Sequence, residues 1–571
     1  MRPAGRGELE SLYFTYPKFD FVRPPEMRGA ATRHPVAVVG AGPVGLAAAI
    51  ELARRGIRCV LLDEKDTLNN GSRAICVSRN SLETLQQLGI AARFEGKALG
   101  WTRGRCYYRD RLIYRLEMPH SDQERYLPMY NIQQQYIEQY LVERTGEFAD
   151  LIDLRWQSTV IDVANEDGEV RLVVATPDGE YVLRSEYLLA ADGAASRVRK
   201  SLGLRLAGEN LPGRYVIADV RMDHDFPTER RSFFESAANP DSTILVHRQP
   251  DGLWRVDWQL RPQETPDEAI AEATVRARVQ AILDMLGHAG DWELEWWSIY
   301  TANTLCLDDY RHGRVLFIGD AARIVPIFGV RGLNNGFDDA VNAAWKLAYV
   351  LEGEAGEELL ESFTPERRGA TLDVFNNAGK SSRFMTPPSR GYALMRKAVL
   401  QLSLTQEFTR RFADPRQVVP YTYADSPLTA YGHRSSEFTG GVTAGSTAVN
   451  CRAVGSAFLF DYLGLGFTGL YFVEGERVPA DILELAHRLT AVDCHFSLVV
   501  ISRKTLPVET FTVIPDDEGR IFDAYAAMDG SFYLLRPDRH VVARWVTLRV
   551  DETEHALTIA LGRSDGREMS R

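Results

Sequence analysis

The 571-residue chain has no apolar run near the ~18 residues that would span a bilayer. Its first 34 residues lack the apolar core of a secretory signal. A membrane-spanning protein and an exported one are both unexpected. Cysteine is scarce: Cys59, Cys76, Cys106, Cys306, Cys451 and Cys494 are scattered, with no Cys-x-x-Cys and no metal-ligand spacing. No metal site is expected, and the thiols read as reduced, mostly buried and cytoplasmic. Basic residues are in the minority. Lys and Arg number 66 against 78 Asp and Glu, a net charge of −12, so a nucleic-acid partner is not expected.

What is present suits a large α/β protein. Hydrophobic residues make up 45% and aromatics 10%, enough to pack two or three domains. Residues 35–39 read PVAVV, a β-branched run suited to a buried parallel strand. Gly40, Gly42, Pro43 and Gly45 follow in GxGxxG spacing. An alanine-rich helix is predicted over 46–55, stopped by Gly56, and a second strand over 57–62 ends in Asp63-Glu64. Gly40 permits the tight turn, Gly42 lets backbone approach a pyrophosphate, and Gly45 lets helix and strand pack closely. The helix N-terminus favours an anion by about 0.3–2 kcal/mol. A carboxylate ~20 residues on receives ribose hydroxyls; Asp63 fits best and Glu64 is its neighbour.

A second segment lies far downstream. Residues 315–318 form an apolar run ending in Gly319-Asp320; a glycine-bearing loop follows, then a helix-like stretch from about Asn334. Paired with the first loop, it suggests one long dinucleotide held at both ends.

The chain resembles the single-component FAD-dependent aromatic hydroxylases, related to para-hydroxybenzoate, phenol and 3-(3-hydroxyphenyl)propionate hydroxylases. Three motifs carry the resemblance over about residues 35–380: the first loop, Asp192-Gly193 within ADGAASRVR, and Gly319-Asp320-Ala321-Ala322 continued by Pro326, Gly329, Gly332, Leu333, Asn334 and Gly336. It implies bound FAD, transient NAD(P)H and O2 as co-substrates, and a small aromatic substrate. Asp320 would receive hydrogen bonds from the ribityl chain. The N–H groups of Gly332, Leu333 and Asn334 would face the flavin pyrimidine edge, stabilising its reduced anion. Arg73 matches a family arginine near the cofactor, and Gln134 a family glutamine, with Gln133 and Gln135 as neighbours. Asp192 is a candidate for cofactor contact or a structural cap. The sequence departs from the family in Arg323, where histidine is frequent, and in Pro326-Ile327, where some relatives carry paired prolines. Arg331 is placed beside the flavin ring, either to attract an anionic substrate, to stabilise flavin charge or to form a salt bridge.

A second GxGxxG on a strand–helix unit is missing, so NAD(P)H is expected to bind transiently rather than in a dedicated domain. The Trp-x-Trp-x-Ile-Pro motif of flavin halogenases is also missing from residues 296–300, WWSIY.

The expected architecture is a Rossmann-like FAD-binding domain with a β-sheet substrate domain, a helical segment and a C-terminal domain. Residues 1–34 form an N-terminal extension, whose Tyr13, Phe14, Tyr16, Phe19 and Phe21 either pack on the body, meet a neighbouring subunit or stay disordered. The cofactor domain is discontinuous within 35–385 (about 35–100, 130–205 and 305–385). Residues 100–130 and 205–305 supply a sheet roofing the flavin. A helical segment spans 386–435, with a helix over 390–412 broken by Asp414-Pro415. Residues 436–571 resemble the thioredoxin-like domain of phenol hydroxylase relatives, without its Cys-x-x-Cys. A second copy of the chain is a candidate partner.

The family chemistry is hydroxylation of a phenolic ring through a flavin C4a-hydroperoxide; Baeyer–Villiger-type, decarboxylating or ring-opening oxygenation stands as the alternative. A phenol titrates near ~10, so ionising it at pH 7 costs about 4 kcal/mol and calls for a base. His247 is the first candidate; Tyr215, Asp257 and Tyr300 are others, and Arg331 and Pro326 complete the expected reacting site. The tryptophans of the roof are expected to wall the site against water.

Overall fold

The computed structural model describes the chain apart from residues 1–3, 6–9, 31, 262, 327–329, 411, 413–419, 492–493, 505, 507–510 and 564–571. Ile327, Gly329 and Asp414-Pro415 therefore lie outside the described residues. Among the described residues the strands form four sheets.

The first sheet has a parallel heart. Val315–Phe317, the end of Gly179–Ala190, Arg33–Val39, Cys59–Leu62 and Ile152–Arg155 lie side by side in parallel. Val36, Val38, Val60, Leu61, Leu188, Leu189 and Leu316 are fully buried, as strands covered on both faces require. Register aligns Phe317, Ala190, Val39, Leu62 and Arg155 in one row. The residues that follow in each strand are therefore neighbours: Gly40, Asp63, Ala191 and Ile318. That row is the carboxyl edge where open α/β sheets bind ligands. It explains how motifs almost 280 residues apart share one place. The Pro43–Arg54 helix leaves this edge and packs on the Gly332–Leu351 helix. Their approach depends on glycine, because a Cβ at Gly336 would lie 2.5 Å from Val44 Cγ2.

The second sheet is antiparallel over most of its width. Its main strands are Trp292–Cys306, Ala207–Met222, Leu253–Gln259, Asn239–Arg248, Arg230–Ser236, Arg103–Tyr108 and Arg111–Glu117. Alternate side chains on one face, among them Val216, Val246, Trp254, Trp258 and Trp297, pack under the Glu272–Leu286 helix through Val275, Val279, Ile282 and Leu283. The expectation that the roof's tryptophans wall the reacting site is thus corrected for these three. Burying an indole removes ~150–250 Å², an upper bound of about 4–6 kcal/mol at ~25 cal/mol/Å². Facing the polar cleft would forfeit that gain, so the alternation settles with tryptophan outward. Trp296, of opposite parity, faces inward.

The N-terminal extension packs on the body. Ala4–Gly5 pairs antiparallel with Trp296–Trp297. Ser11 Oγ and the Leu12 N–H donate to Glu295 at 2.6 and 2.7 Å. The Tyr16 hydroxyl accepts from the Gly71 N–H and Gln135 Nε2 at 3.4 and 3.0 Å. Phe19 stacks on Trp156 with centroids 4.3 Å apart.

Downstream, helices span Phe363–Met385, Arg390–Leu402 and Glu407–Arg410. The C-terminal part carries a five-stranded sheet in the order Thr512–Pro515, Ser497–Ser502, Thr468–Val473, Phe532–Leu535, Val541–Trp545. It docks through a buried ionic cluster. Arg536 Nη2 lies 2.9 Å from Glu366 and 2.6 Å from Asp538, and Lys346 Nζ lies 2.7 Å from Glu366. None of the described helices is long and apolar enough to cross a membrane.

Candidate functional site

At the first turn, Gly40 has φ +105°, and a Cβ there would lie 2.5 Å from the Ala191 carbonyl. A Cβ at Gly45 would lie 1.9 Å from the Gly40 carbonyl, so helix and strand meet only through glycine. Gly42 differs. Its Cβ would meet only Asn69 Nδ2 at 3.9 Å, so nothing in the protein itself requires glycine there. The open cradle lies at the N-terminus of a helix whose first residue is Pro43. An anion fits it.

Asp63 has a task beyond the one expected from the sequence. One carboxylate oxygen accepts the Ala41 N–H at 2.7 Å and the other the Lys65 N–H at 2.9 Å. It holds the glycine turn, and its remaining lone pairs are free for a ribose. Glu64 is exposed and meets Arg197 at 3.1 Å on the surface. Asp192 caps the Arg197–Ser201 helix: its Oδ2 accepts from the Arg197 and Val198 N–H groups at 2.7 and 3.1 Å. Its buried Oδ1 has no hydrogen-bond partner, and burial raises its pKa.

Gln134 is a loop holder. Its Oε1 accepts from the Ala74 N–H at 3.2 Å and its Nε2 donates to buried Glu138 at 2.8 Å. Together with Ser72, whose Oγ accepts the Gln134 N–H at 3.1 Å, this fixes the loop from which Arg73 projects, exposed.

The Gly319-Asp320 turn is braced from below. Asp339 accepts the Gly319 N–H at 2.9 Å and pairs with buried Arg323. Arg199 donates to the Ala321 carbonyl at 2.8 Å. The departure at Arg323 therefore has a structural account. Asp320 opens onto the cleft yet is ringed by protein, and this burial raises its pKa despite nearby Arg323 and Arg73. It takes no hydrogen bond among the described residues.

The Gly332–Leu351 helix begins beside this turn, two residues before the predicted start. Its first intrahelical bond is donated by Asn335 to the Arg331 carbonyl at 3.0 Å, so the Gly332, Leu333 and Asn334 N–H groups precede it. The Asn334 side chain is committed elsewhere. Its Oδ1 accepts from the Ser78 N–H and Ser81 Oγ at 2.9 and 2.6 Å, and its Nδ2 donates to the Val330 carbonyl at 2.6 Å. That clamp holds Val330 at φ +60°, a conformation costing a β-branched residue about 1–3 kcal/mol. Arg331 is buried, lies 3.8 Å from Asp373 and has its pKa lowered by burial. Pro326 is buried two residues beyond the Arg323–Ile324 strand.

Above lies the inner face of the second sheet. Register sets three rows across it: Arg230, His247, Arg255 and Asp219; Ser232, Leu245, Asp257 and Ile217; Phe234, Thr243, Gln259 and Tyr215. Arg255 joins this face to the cofactor side. It bonds Asp219 at 2.8 and 2.9 Å, and donates to the carbonyls of Ser72 and Arg73. Tyr215 is tied to Thr386 at 2.8 Å, and the Tyr300 hydroxyl donates to the Val325 carbonyl. Burial raises both phenols, so neither is a base near pH 7. Asp257, buried and next to Asp219, is pushed up to about 7 despite Arg255. His247 is held well below its ordinary pKa by burial, then by Arg230 and Arg255, so it is neutral. The buried atoms His247 Nδ1, Asp257 Oδ1, Thr243 Oγ1, Gln259 Oε1 and Arg230 Nε have no hydrogen-bond partner. Such a concentration on one face marks a surface built to meet a polar ligand. Sequence reasoning missed Arg230, Thr243 and Gln259. Their signal was only the parity they share with His247 along adjacent strands.

A family model described as "FAD binding domain" matches residues 33–378. A 3-(3-hydroxy-phenyl)propionate/3-hydroxycinnamic acid hydroxylase of Mycolicibacterium gilvum is 26% identical over 548 residues, 94% of this chain and 93% of the relative. Its counterpart in Escherichia coli is 24% identical over 548 residues, covering 91% and 94%. Among solved structures, a flavin-dependent monooxygenase in complex with FAD and substrate superposes with TM-score 0.74 at 22% identity, covering 94% of this chain and 100% of the other. An aklavinone-11 hydroxylase with FAD and aklavinone gives TM-score 0.73 at 21% identity, covering 93% and 100%.

Proposed function

The chain belongs to the FAD-binding-domain family, and from that membership we propose that it is an FAD-dependent monooxygenase that hydroxylates a phenolic ring using NAD(P)H and O2. One observation carries the reading: a dinucleotide edge, with its glycine turn, Asp320 and a helix N-terminus close together, lies beside a buried sheet rich in unsatisfied polar atoms.

Gly42 and the Pro43–Arg54 helix N-terminus receive the pyrophosphate. Asp63 holds that turn and offers its spare lone pairs to the ribose. Asp320 receives the ribityl hydroxyls. The N–H groups of Gly332, Leu333 and Asn334 stabilise negative charge at the pyrimidine edge. Arg73 stands over the cleft on the loop that Gln134 holds. When bound, FAD supplies the redox chemistry by which NAD(P)H and O2 deliver one oxygen atom to the ring.

The substrate's ring lies against the three rows. Asp257 takes the phenolic proton at Oδ1, and His247 accepts a hydrogen bond at Nδ1. A carboxylate near 7 is ionised often enough to accept and acidic enough when protonated to return the proton. The names of the relatives point to hydroxyaryl substrates, and a face offering the unsatisfied Asp257 Oδ1 and His247 Nδ1 to a phenolic hydroxyl suits them.

The C-terminal domain is thioredoxin-like. Three parallel strands continued by two antiparallel ones support this. Its Cys451 and Cys494 are buried, so its role is structural.

The test is aerobic NAD(P)H consumption by purified holoenzyme across a phenol panel, with product mass. Hydroxylated product stoichiometric with cofactor is expected; hydrogen peroxide as sole product from every phenol would overturn the reading.

A further inference from the structure

Exposed apolar side chains gather in one place. Leu394 is 70% exposed, Phe408 66%, Phe412 63%, Met395 49% and Leu402 47%. Leu394, Met395 and Leu402 belong to the Arg390–Leu402 helix, and Phe408 to the short Glu407–Arg410 helix after it. The longer helix is anchored by its other side. Leu400 is fully buried with Ile113, Phe234 and Leu245. Arg396 donates to the Met385 carbonyl at 2.9 Å and lies 3.9 Å from Glu235. At about 3.6 residues per turn, Leu394, Met395, Ala398 and Leu402 fall opposite Arg396 and Leu400. The apolar stripe is therefore the side that the body leaves uncovered.

The same segment reverses the charge of the chain. Residues 380–411 hold seven Lys and Arg against one acid, Glu407, in a protein of net charge −12. Lys380, Arg383, Arg390 and Lys397 are exposed. Among the described residues, the one ion pair from this stretch is that of Arg396 with Glu235. Apolar and basic side chains on one uncovered helix suit a lipid interface: the apolar ones enter by ~5–10 Å and the cations meet anionic headgroups. A second copy of the chain suits the face less well, because a two-fold contact sets a patch against itself and would oppose like charges. We propose that this helix docks the protein on an anionic lipid surface. The remaining surface, acidic as a whole, turns toward water. Thr386, four residues before the helix, bonds Tyr215 at 2.8 Å and Gln259 at 2.9 Å. The lipid therefore lies near the face proposed for the aromatic ring, although the docking itself does not depend on that reading.

Vesicle flotation tests it. Holoenzyme is mixed with vesicles of equal parts phosphatidylglycerol and phosphatidylcholine, or of phosphatidylcholine alone. About ten-fold more protein is expected to float with the anionic vesicles, and about 0.5 M salt should release most of it. Leu394→Asp with Phe408→Asp should cut flotation about ten-fold, and so should Arg390→Glu with Lys397→Glu, while flavin content and melting temperature stay those of the wild type. Absence of wild-type flotation, or equal flotation with the neutral vesicles, needs no variant to fold and would overturn the proposal. So would undiminished flotation of either variant. A wild-type dimer that ignores lipid, and that the first variant splits into monomers, would give the face to a second copy instead. A protein that floats with anionic lipid and hydroxylates nothing would sink the proposed reaction but not the docking.

Discussion

Asp63 and Ala41 are joined by a 2.7 Å hydrogen bond that crosses 22 residues of sequence, with the carboxylate only 5% exposed. The acid of the dinucleotide motif thus shapes the glycine turn before any ribose reaches it.

Asp63→Ala leaves a buried N–H unsatisfied, at a cost of about 1–3 kcal/mol. FAD affinity is expected to fall ~5–150-fold as the turn loosens. Reconstitution of apoprotein, followed by flavin fluorescence, measures it. A wild-type dissociation constant in the variant would mean the turn holds itself.

Gly42→Val separates cofactor from fold. The position has ordinary φ, −76°, and open space, so the apoprotein should melt within a few degrees of wild type. FAD uptake should nevertheless fail, because the side chain fills the pyrophosphate cradle. Normal flavin content after purification would contradict that placement.

Asp257 sets the pH dependence of the reaction. As base it works deprotonated, so kcat/KM should rise with pH and level off above about 7. Asp257→Asn should remove the rise and most of the turnover. The same shift has a stability sign. The folded group keeps its proton longer than the unfolded one, so between about 4 and 7 rising pH costs stability. Asp257→Asn should therefore melt higher than wild type at pH 8, with the gap closing by about pH 4. A lower melting temperature at pH 8 would refute the raised pKa.

Arg536→Ala breaks the cluster that docks the C-terminal domain. It leaves Glu366 and Asp538 buried without their guanidinium, with Lys346 on Glu366 and His540 on Asp538, a change worth about 3–5 kcal/mol. A marked drop in denaturation midpoint is expected, whereas an unchanged midpoint would show that this cluster does not hold the domain.

The glycine turn and its helix were legible because their signals are local. Gly40 to Asp63 is one strand–turn–helix–strand unit, and its closest glycine contact, Gly45 on the Gly40 carbonyl, lies within it. The helix at Gly332 was legible for the same reason, though two residues late, since its N-terminus carries no polar side-chain cap. Side-chain assignments that depend on distant partners were not. Asn334 was assigned to the cofactor edge by its backbone, but its amide serves Ser78 and Ser81, some 250 residues earlier. The alternation in residues 254–260 announces a strand but not which parity faces the cleft. That is decided by the Glu272–Leu286 helix, which covers Trp254 and Trp258 and leaves Arg255 and Asp257 inside. Arg230 meets His247 only through the register of neighbouring strands, which no local pattern encodes.

The pairing of Ala4–Gly5 with Trp296–Trp297 has a consequence for how the molecule is made. At ~5–20 residues per second the ribosome delivers the partner strand on the order of 15–60 s after the opening residues emerge. The leading end must wait, unpaired, until most of the central region has been synthesised. A bulky tag fused to that end would compete during this interval, and its penalty should appear as poor yield of soluble product rather than as a slower enzyme.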